Sequence, residues 1–208
     1  VIVNILGDTL DEYREITQNL AEVEGIAAIE VNISCPNVKK GGVAFGTDPA
    51  MAARVTETVR NVSTVPVMVK LSPNVSDIVL VAKSVEDAGA DSVSLINTLI
   101  GMAVDLKKKK PVLANVIGGL SGPAIKPIAL RMVFQVSRSV KIPVIGIGGI
   151  DCTEDALEFI LAGASAIQVG TANFVNPRVS EEIVAGIGDY VREQRLPSIR
   201  DLIGALEV

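Results

Sequence analysis

The sequence predicts an α/β fold of repeated strand–helix units, a TIM (β/α)8 barrel in preference to a doubly wound sheet. Three observations carry this. Short β-branched apolar runs alternate with segments of helical period along the 208 residues. A unit also recurs: Val65-Pro66-Val67 leads through a helix to Ala88-Gly89-Ala90-Asp91 and a strand, and Ile142-Pro143-Val144 leads likewise to Ala162-Gly163-Ala164-Ser165. Finally, the residues able to do chemistry (Asn4, Ser34, Cys35, Asn37, Lys70, Asn97, Thr98, Gly148-Gly149 and Gly170-Thr171) stand at the ends of different strands. A barrel gathers its strand C-termini on one site, whereas a doubly wound sheet concentrates ligand contacts at a single switch point.

Taken in order, strands are predicted over 1–6, 29–34, 65–71, 92–97, 143–147 and 166–170. Each is nearly continuous in Val, Ile and Leu, the pattern of strands buried on both faces of a parallel sheet. Amphipathic stretches at 10–22, 49–62, 75–88, 126–139 and 153–162 supply the crossover helices, and 180–193 and 198–207 read as two more. Asp48 before Pro49 has the form of a helix start. Thr153, with Glu154 and Asp155 behind it, reads as an oxygen cap followed by acids. Gly89 and Gly163 fall where helices end in a left-handed residue. This makes six βα units where a barrel needs eight. The chain opens at Val1, already on a strand. Residues 1–208 are therefore expected to be one barrel domain whose N-terminal units are missing, and which exposes sheet edges on its own.

Composition removes several classes of function. With 49% apolar and 21% charged residues the chain is globular, not disordered. It has no His, so Ser-His-Asp and Cys-His machinery and His-metal sites are excluded, and proton transfer falls to Cys, Lys, Tyr, Asp, Glu or Ser. A net charge of −5 argues against nucleic acid as partner. No uncharged run is long enough to span a membrane. A basic leader is missing and the two cysteines form no CxxC pair, so a reducing cytoplasm is expected.

Four segments carry candidate chemistry. Gly148-Gly149 and Gly170-Thr171 end the last two strands, where barrel loops form a phosphate site from glycine N–H groups; the spacing is not GxGxxG, which disfavours a Rossmann dinucleotide site. Gly118-Gly119-Leu120-Ser121-Gly122-Pro123 is a glycine-rich loop ahead of a helix, able to pass close to a flat ligand. Asn32-Ile33-Ser34-Cys35-Pro36-Asn37 delivers a thiol flanked by carboxamides to the barrel mouth, where Cys35 can serve as base or nucleophile. Lys70, at the end of an apolar strand, is costly unless it meets an anion or an electron-rich ring. Cys152 lacks such a setting and reads as a small buried hydrophobe, and Lys107 to Lys110 reads as a solvated loop.

Together these segments resemble the dihydroorotate dehydrogenases. The resemblance rests on Asn32-Ile-Ser-Cys35-Pro-Asn37, Val-Lys70-Leu-Ser-Pro, Ile96-Asn97-Thr98, Gly118-Gly-Leu-Ser-Gly122-Pro-Ala-Ile-Lys126-Pro, Ile147-Gly148-Gly149 and Val169-Gly170-Thr171, in order along nearly the whole chain. Cys35, where the membrane-associated class carries Ser, resembles class 1, and the following Gly41-Gly42-Val-Ala-Phe45-Gly46-Thr47-Asp48-Pro49 resembles the NAD-linked class 1B catalytic subunit. The resemblance implies a barrel holding FMN at its mouth. Asn4, Asn32, Lys70, Ile96, Gly122, Gly148, Gly149, Gly170 and Thr171 match flavin-contacting positions. Asn32, Asn97 and Thr98 match residues that hold the pyrimidine, with Asn37 as helper, and Cys35 matches the catalytic base. It further implies oxidation of dihydroorotate to orotate in pyrimidine biosynthesis and a homodimer. A partner subunit with FAD and a [2Fe–2S] cluster would complete a heterotetramer and pass electrons to NAD. The fumarate-linked class 1A enzyme and a phosphate-binding barrel isomerase or lyase are the alternatives.

Overall fold

The computed structural model describes residues 1–34 and 45–207. Its centre is a six-stranded, all-parallel sheet: β1 (Ile2–Ile5), β2 (Ala28–Asn32), β3 (Val67–Leu71), β4 (Ser92–Leu95), β9 (Val144–Ile147) and β10 (Ala166–Gln168). Between β4 and β9 lie four short strands: β5 (Leu99–Met102) pairs antiparallel with β8 (Ile117–Leu120), and β6 (Val104–Asp105) with β7 (Lys110–Pro111). The parallel strands lie side by side in strict chain order, β1-β2-β3-β4-β9-β10. That order decides the architecture. A doubly wound sheet reverses direction at a switch point, whereas sequential right-handed crossovers keep every helix on one face and curl the sheet towards a barrel. The helices are α1 (Leu10–Leu20), α2 (Pro49–Arg60), α3 (Ile78–Asp87), α4 (Lys126–Ser137), α5 (Thr153–Leu161), the single turn α6 (Ala172–Val175) and α7 (Val179–Glu193). Helices α1 to α5 and then α7 pack in one continuous row, as an outer layer does. The fold is thus a TIM-barrel arrangement with six βα units present among the described residues.

The strand pattern differs from the expected continuous apolar run, and the difference matters. The positions facing the helices, such as Ile5, Ile29, Val31, Val67, Val69, Leu71, Val93 and Leu95, are buried Val, Ile and Leu that form the main core with the helices. Alternating with them on the inner face are Asn4, Glu30, Asn32, Lys70, Ser94 and Gln168. Successive strand side chains point to opposite faces, so the barrel interior carries a polar column that the overall hydrophobicity of the strands conceals.

Local capping follows the sequence at the start of α2 and at the ends of α3 and α5. Asp48 caps α2, its side chain accepting from Ala50 N at 2.9 Å, with Pro49 in the first turn. Gly89 and Gly163 take φ of +93° and +115° just past α3 and α5. Two expectations need correcting. Thr153 is the first helical residue of α5, and Cys152 occupies the cap without a side-chain bond; the first turn is braced by Asp155, which accepts from Asp151 N at 3.0 Å. The helix expected over 198–207 is a single 3-10 turn, Ile199–Leu202, capped by Ser198. Gly204, at φ +72°, turns the chain, and its N–H donates to Ile160 O at 3.0 Å, tying the segment along α5. Lys107 to Lys109 lie in an exposed turn, with Asp105 accepting from Lys107 N and Lys108 N at 3.0 Å each, and Lys110 begins β7. The sequence reading also lacks the β5–β8 and β6–β7 pairs and the turn α6. Gly118 and Gly119 are strand residues of β8, so only Ser121 and Gly122 remain of the predicted glycine-rich loop.

Candidate active site

A cavity of about 540 Å³ opens at the C-terminal ends of β3, β4, β9 and β10, within the range of roughly 300–1,000 Å³ that holds small molecules and cofactors. It brings together Lys70, Ile96, Asn97, Thr98, Gly122, Gly148, Gly149, Gly170 and Thr171. Four βα units deliver these residues to one place, because each stands at the end of β3, β4, β9 or β10 or in the connection beyond it.

The glycines have separate reasons to be there. Gly149 sits at φ +79°, and a Cβ on it would lie 2.8 Å from Lys126 N and 2.9 Å from Gly122 O. The β9–α5 loop and the turn into α4 therefore approach backbone to backbone. A Cβ on Gly170 would meet nothing within 4 Å, so that glycine leaves open a cradle beside the cavity it lines. The walls are apolar where Ile96, Ile125, Ile147 and Ile150 contribute, and rich in backbone where the glycines do. That combination suits a flat aromatic ring system carrying a phosphate.

The polar groups are tied into one frame. Asn32 Oδ1 accepts from Asn97 Nδ2 at 3.1 Å and from Ser34 N at 3.1 Å, which joins the ends of β2 and β4. The buried Tyr13 of α1 donates its hydroxyl to Asn32 O at 2.8 Å and stacks edge-on against Phe45, 5.9 Å between centroids. Thr171 donates to Ser121 Oγ at 2.8 Å, linking the end of β10 to the end of β8. Asn74, in the loop after β3, donates to Thr98 O at 2.9 Å and accepts from Ile100 N at 3.0 Å, which pins the start of β5. Lys70 is half-buried, and among the described residues no carboxylate comes within ion-pair distance of it. It lines the cavity, and its charge also acts on Glu30.

Two predicted flavin contacts lie off the cavity wall. Asn32 meets the site through Asn97, and Asn4 stands lower on the inner face, donating to Glu30 Oε2 at 2.6 Å. Cys35 and Asn37 lie outside the described residues. The sequence reading missed Glu30, Asn74 and Gln168. A signal for Glu30 and Gln168 was available: each is a polar residue at an inward position of an otherwise apolar strand. Glu30 is 6% exposed. Burial pushes its pKa up, but hydrogen bonds from Ser94, Gln168 and Asn4 and the charge of Lys70 outweigh burial and hold the carboxyl below its ordinary value.

Behind the glycine wall, Lys126 Nζ bridges Asp155 Oδ1 at 2.5 Å and Glu158 Oε2 at 2.9 Å. Hydrogen bonds to these two carboxylates raise the Lys126 pKa above the usual lysine range. Burial pushes Asp155 up, yet Lys126 and the neighbouring backbone hold it below its ordinary value. Asp151, sharing a hydrogen bond with Asp155, is pushed up. Burial also raises the Cys152 thiol, in keeping with an inert cysteine.

Such a parallel βα barrel, with a lysine, carboxamides and a glycine wall converging on the C-terminal rim of its strands, has the arrangement of barrel enzymes. The family model described as "Dihydroorotate dehydrogenase" matches residues 1–191. A Pelobacter propionicus protein named dihydroorotate dehydrogenase B (NAD(+)), catalytic subunit, is 60% identical over 206 residues, 99% of this chain and 68% of its own length. The Desulforamulus reducens protein of that name is 60% identical over 205 residues, 99% of this chain and 67% of its own. The one from Geobacter sulfurreducens is 59% identical over 208 residues, 100% and 68%. The chain belongs to the dihydroorotate dehydrogenase family, a family of flavin-dependent oxidoreductases. No helix among the described residues is long and apolar enough to cross a membrane.

Proposed function

We propose that residues 1–208 form an FMN-binding barrel domain that oxidises dihydroorotate to orotate in pyrimidine biosynthesis. The observation that carries the reading is the convergence of Lys70, Asn97 and Thr98 with Gly148, Gly149, Gly170 and Thr171 around one cavity at the strand ends. Family membership supports the same substrate. FMN, when bound, supplies the redox chemistry by accepting the hydride from C6 of the substrate.

The remaining work belongs to the chain. Gly122, Gly148, Gly149, Gly170 and Thr171 would hold the phosphate end by backbone N–H groups and one hydroxyl. Ile96 supplies an apolar wall, and Asn4 and Asn32, set back from that wall, would supply amides from behind it. The Lys70 ammonium favours negative charge on its ligand, as a preorganised cation does. Asn32, Asn97 and Thr98, with Asn37, would orient the pyrimidine through its amide and carboxylate groups. Cys35 takes the C5 proton as general base, so that the C5–H electron pair becomes the new C5–C6 double bond while hydride leaves C6. In a chain without His, the thiol of Cys35, three positions beyond β2 in the sequence, is the base that the motif supplies. The name of the relatives, a catalytic subunit, supports a partner. We assign to that partner FAD and a [2Fe–2S] cluster that relay electrons to NAD, in a cytoplasmic heterotetramer built on a homodimer of this chain.

The test is a titration of the protein with FMN and then orotate, read by flavin absorbance. Uptake of FMN and a spectral change on adding orotate are expected. Flavin uptake with no response to orotate would overturn the substrate, and no uptake would overturn the cofactor.

A further inference from the structure

Glu30 is buried on the inner face of β2, and its charge is met in an unusual way. Among the described residues no Lys or Arg lies within ion-pair distance of it. Its oxygens instead accept from three neutral donors on three other strands: Asn4 Nδ2 of β1 at 2.6 Å, Ser94 Oγ of β4 at 2.6 Å and Gln168 Nε2 of β10 at 2.9 Å. The bond to Gln168 crosses the interior, because β2 and β10 are not neighbours in the sheet. Burying a charge in a barrel core is costly, and apolar residues of the same volume are often neutral or stabilising in its place. A carboxylate kept there points to a use.

The neighbours of Glu30 indicate the use. Gln168 lines the cavity. Ser94 is the register partner of Lys70, which lines it too. Asn4 is paired in register with Glu30 itself. The carboxylate therefore lies beneath the site and grips Gln168, which lines it, together with Asn4 and Ser94, which stand behind the lining.

We propose that Glu30 is the positioning residue of this site: its carboxylate fixes the amides of Asn4 and Gln168, and its negative charge partly offsets Lys70, so that it sets how readily FMN bound there is reduced. This rests on the FMN reading above. Reduced flavin carries extra negative charge, so a fixed anion below Lys70 disfavours it and holds the reduction potential down. Fixing one face of Gln168 through its Nε2 also leaves the amide oxygen as the group available to the cavity.

The experiment measures the midpoint potential of FMN bound to the whole protein, by equilibrium reduction against an indicator dye. Glu30→Gln keeps the shape and removes the charge. It should shift the two-electron equilibrium about tenfold towards reduced flavin, about 30 mV more positive. Ser94→Ala leaves the charge with one donor fewer and should shift the potential the other way. This second variant decides the matter alone if Glu30→Gln does not fold. A purely structural role would lower thermal stability and leave both potentials where they were. Unchanged potentials in variants that hold FMN overturn this inference and leave the function reading standing. Failure of the unaltered protein to take up FMN overturns the cofactor reading, and this inference with it.

Discussion

Gly149→Ala tests the glycine wall most directly. The added methyl would lie 2.8 Å from Lys126 N and 2.9 Å from Gly122 O, both backbone atoms of the turn leading into α4. Neither can swing aside as the tip of a side chain can. The φ of +79° adds a second penalty, about 1–2 kcal/mol for a residue with a Cβ. Relieving the overlap by moving backbone costs about 1–3 kcal/mol more. The sum is about 2–5 kcal/mol, or a fall in Tm of roughly 4–20 °C for a chain of this size. The displaced turn carries Gly122, so FMN affinity should fall as well. Gly170→Ala is the paired control, since its methyl meets nothing within 4 Å. It should leave stability within about 0.5 kcal/mol while intruding on the cradle and weakening FMN about tenfold, 1.4 kcal/mol. Thermal unfolding by circular dichroism and FMN titration by fluorescence quenching read the two effects separately. A Gly149→Ala protein melting within about 2 °C of the parent would refute the close-approach argument.

Other expectations follow from the same geometry. Cys35→Ala should retain FMN and lose about 10²–10⁴-fold in turnover, the usual worth of a general base; unchanged turnover removes Cys35 from that role. Tyr13→Phe deletes the bond that anchors Asn32 O from α1 and should cost about 1–2 kcal/mol in urea unfolding, with a weaker substrate response because Asn32 carries Asn97. Lys126→Met strands the mostly buried Asp155, whose side chain is 9% exposed, and should cost about 1–3 kcal/mol given that Lys126 is itself partly solvated. Glu30 and Asp155 are both held below their ordinary values in the folded chain. Their stabilisation is therefore present above about pH 4 and is lost as pH falls through the lower folded values. The stability gaps between the parent and Glu30→Gln or Asp155→Asn should accordingly narrow in acid; a gap that stays constant down to low pH counts against the assignment.

Much of the site was legible because its chemistry sits in short contiguous motifs. Lys70, Asn97, Gly148 and Gly170 each end a strand, and strand ends can be read from apolar runs. Glu30 and Gln168 escaped because they are 138 positions apart in the chain and meet only across the barrel interior. Their strands read as nearly continuous apolar runs, and that reading hides a period of two. The β5–β8 pair escaped for a different reason: glycines at 118 and 119 read as a flexible loop, whereas the pairing partner that makes them a strand is Leu99–Met102.

The sequence by itself determined the number and order of the βα units, the helix caps at Asp48 and the glycine stops, and the residue types available for chemistry in a chain without histidine. These follow from local periodicity, backbone preference and composition, which need no partner far along the chain. Only the tertiary structure decided that the six strands run in unbroken order, that Asn32 holds Asn97, and that Gly149 meets the turn before α4. It also decided that a buried carboxylate underlies the site. Each of those depends on a contact between segments tens to more than a hundred residues apart, and the energy of such a contact belongs to the packed barrel and to neither segment alone.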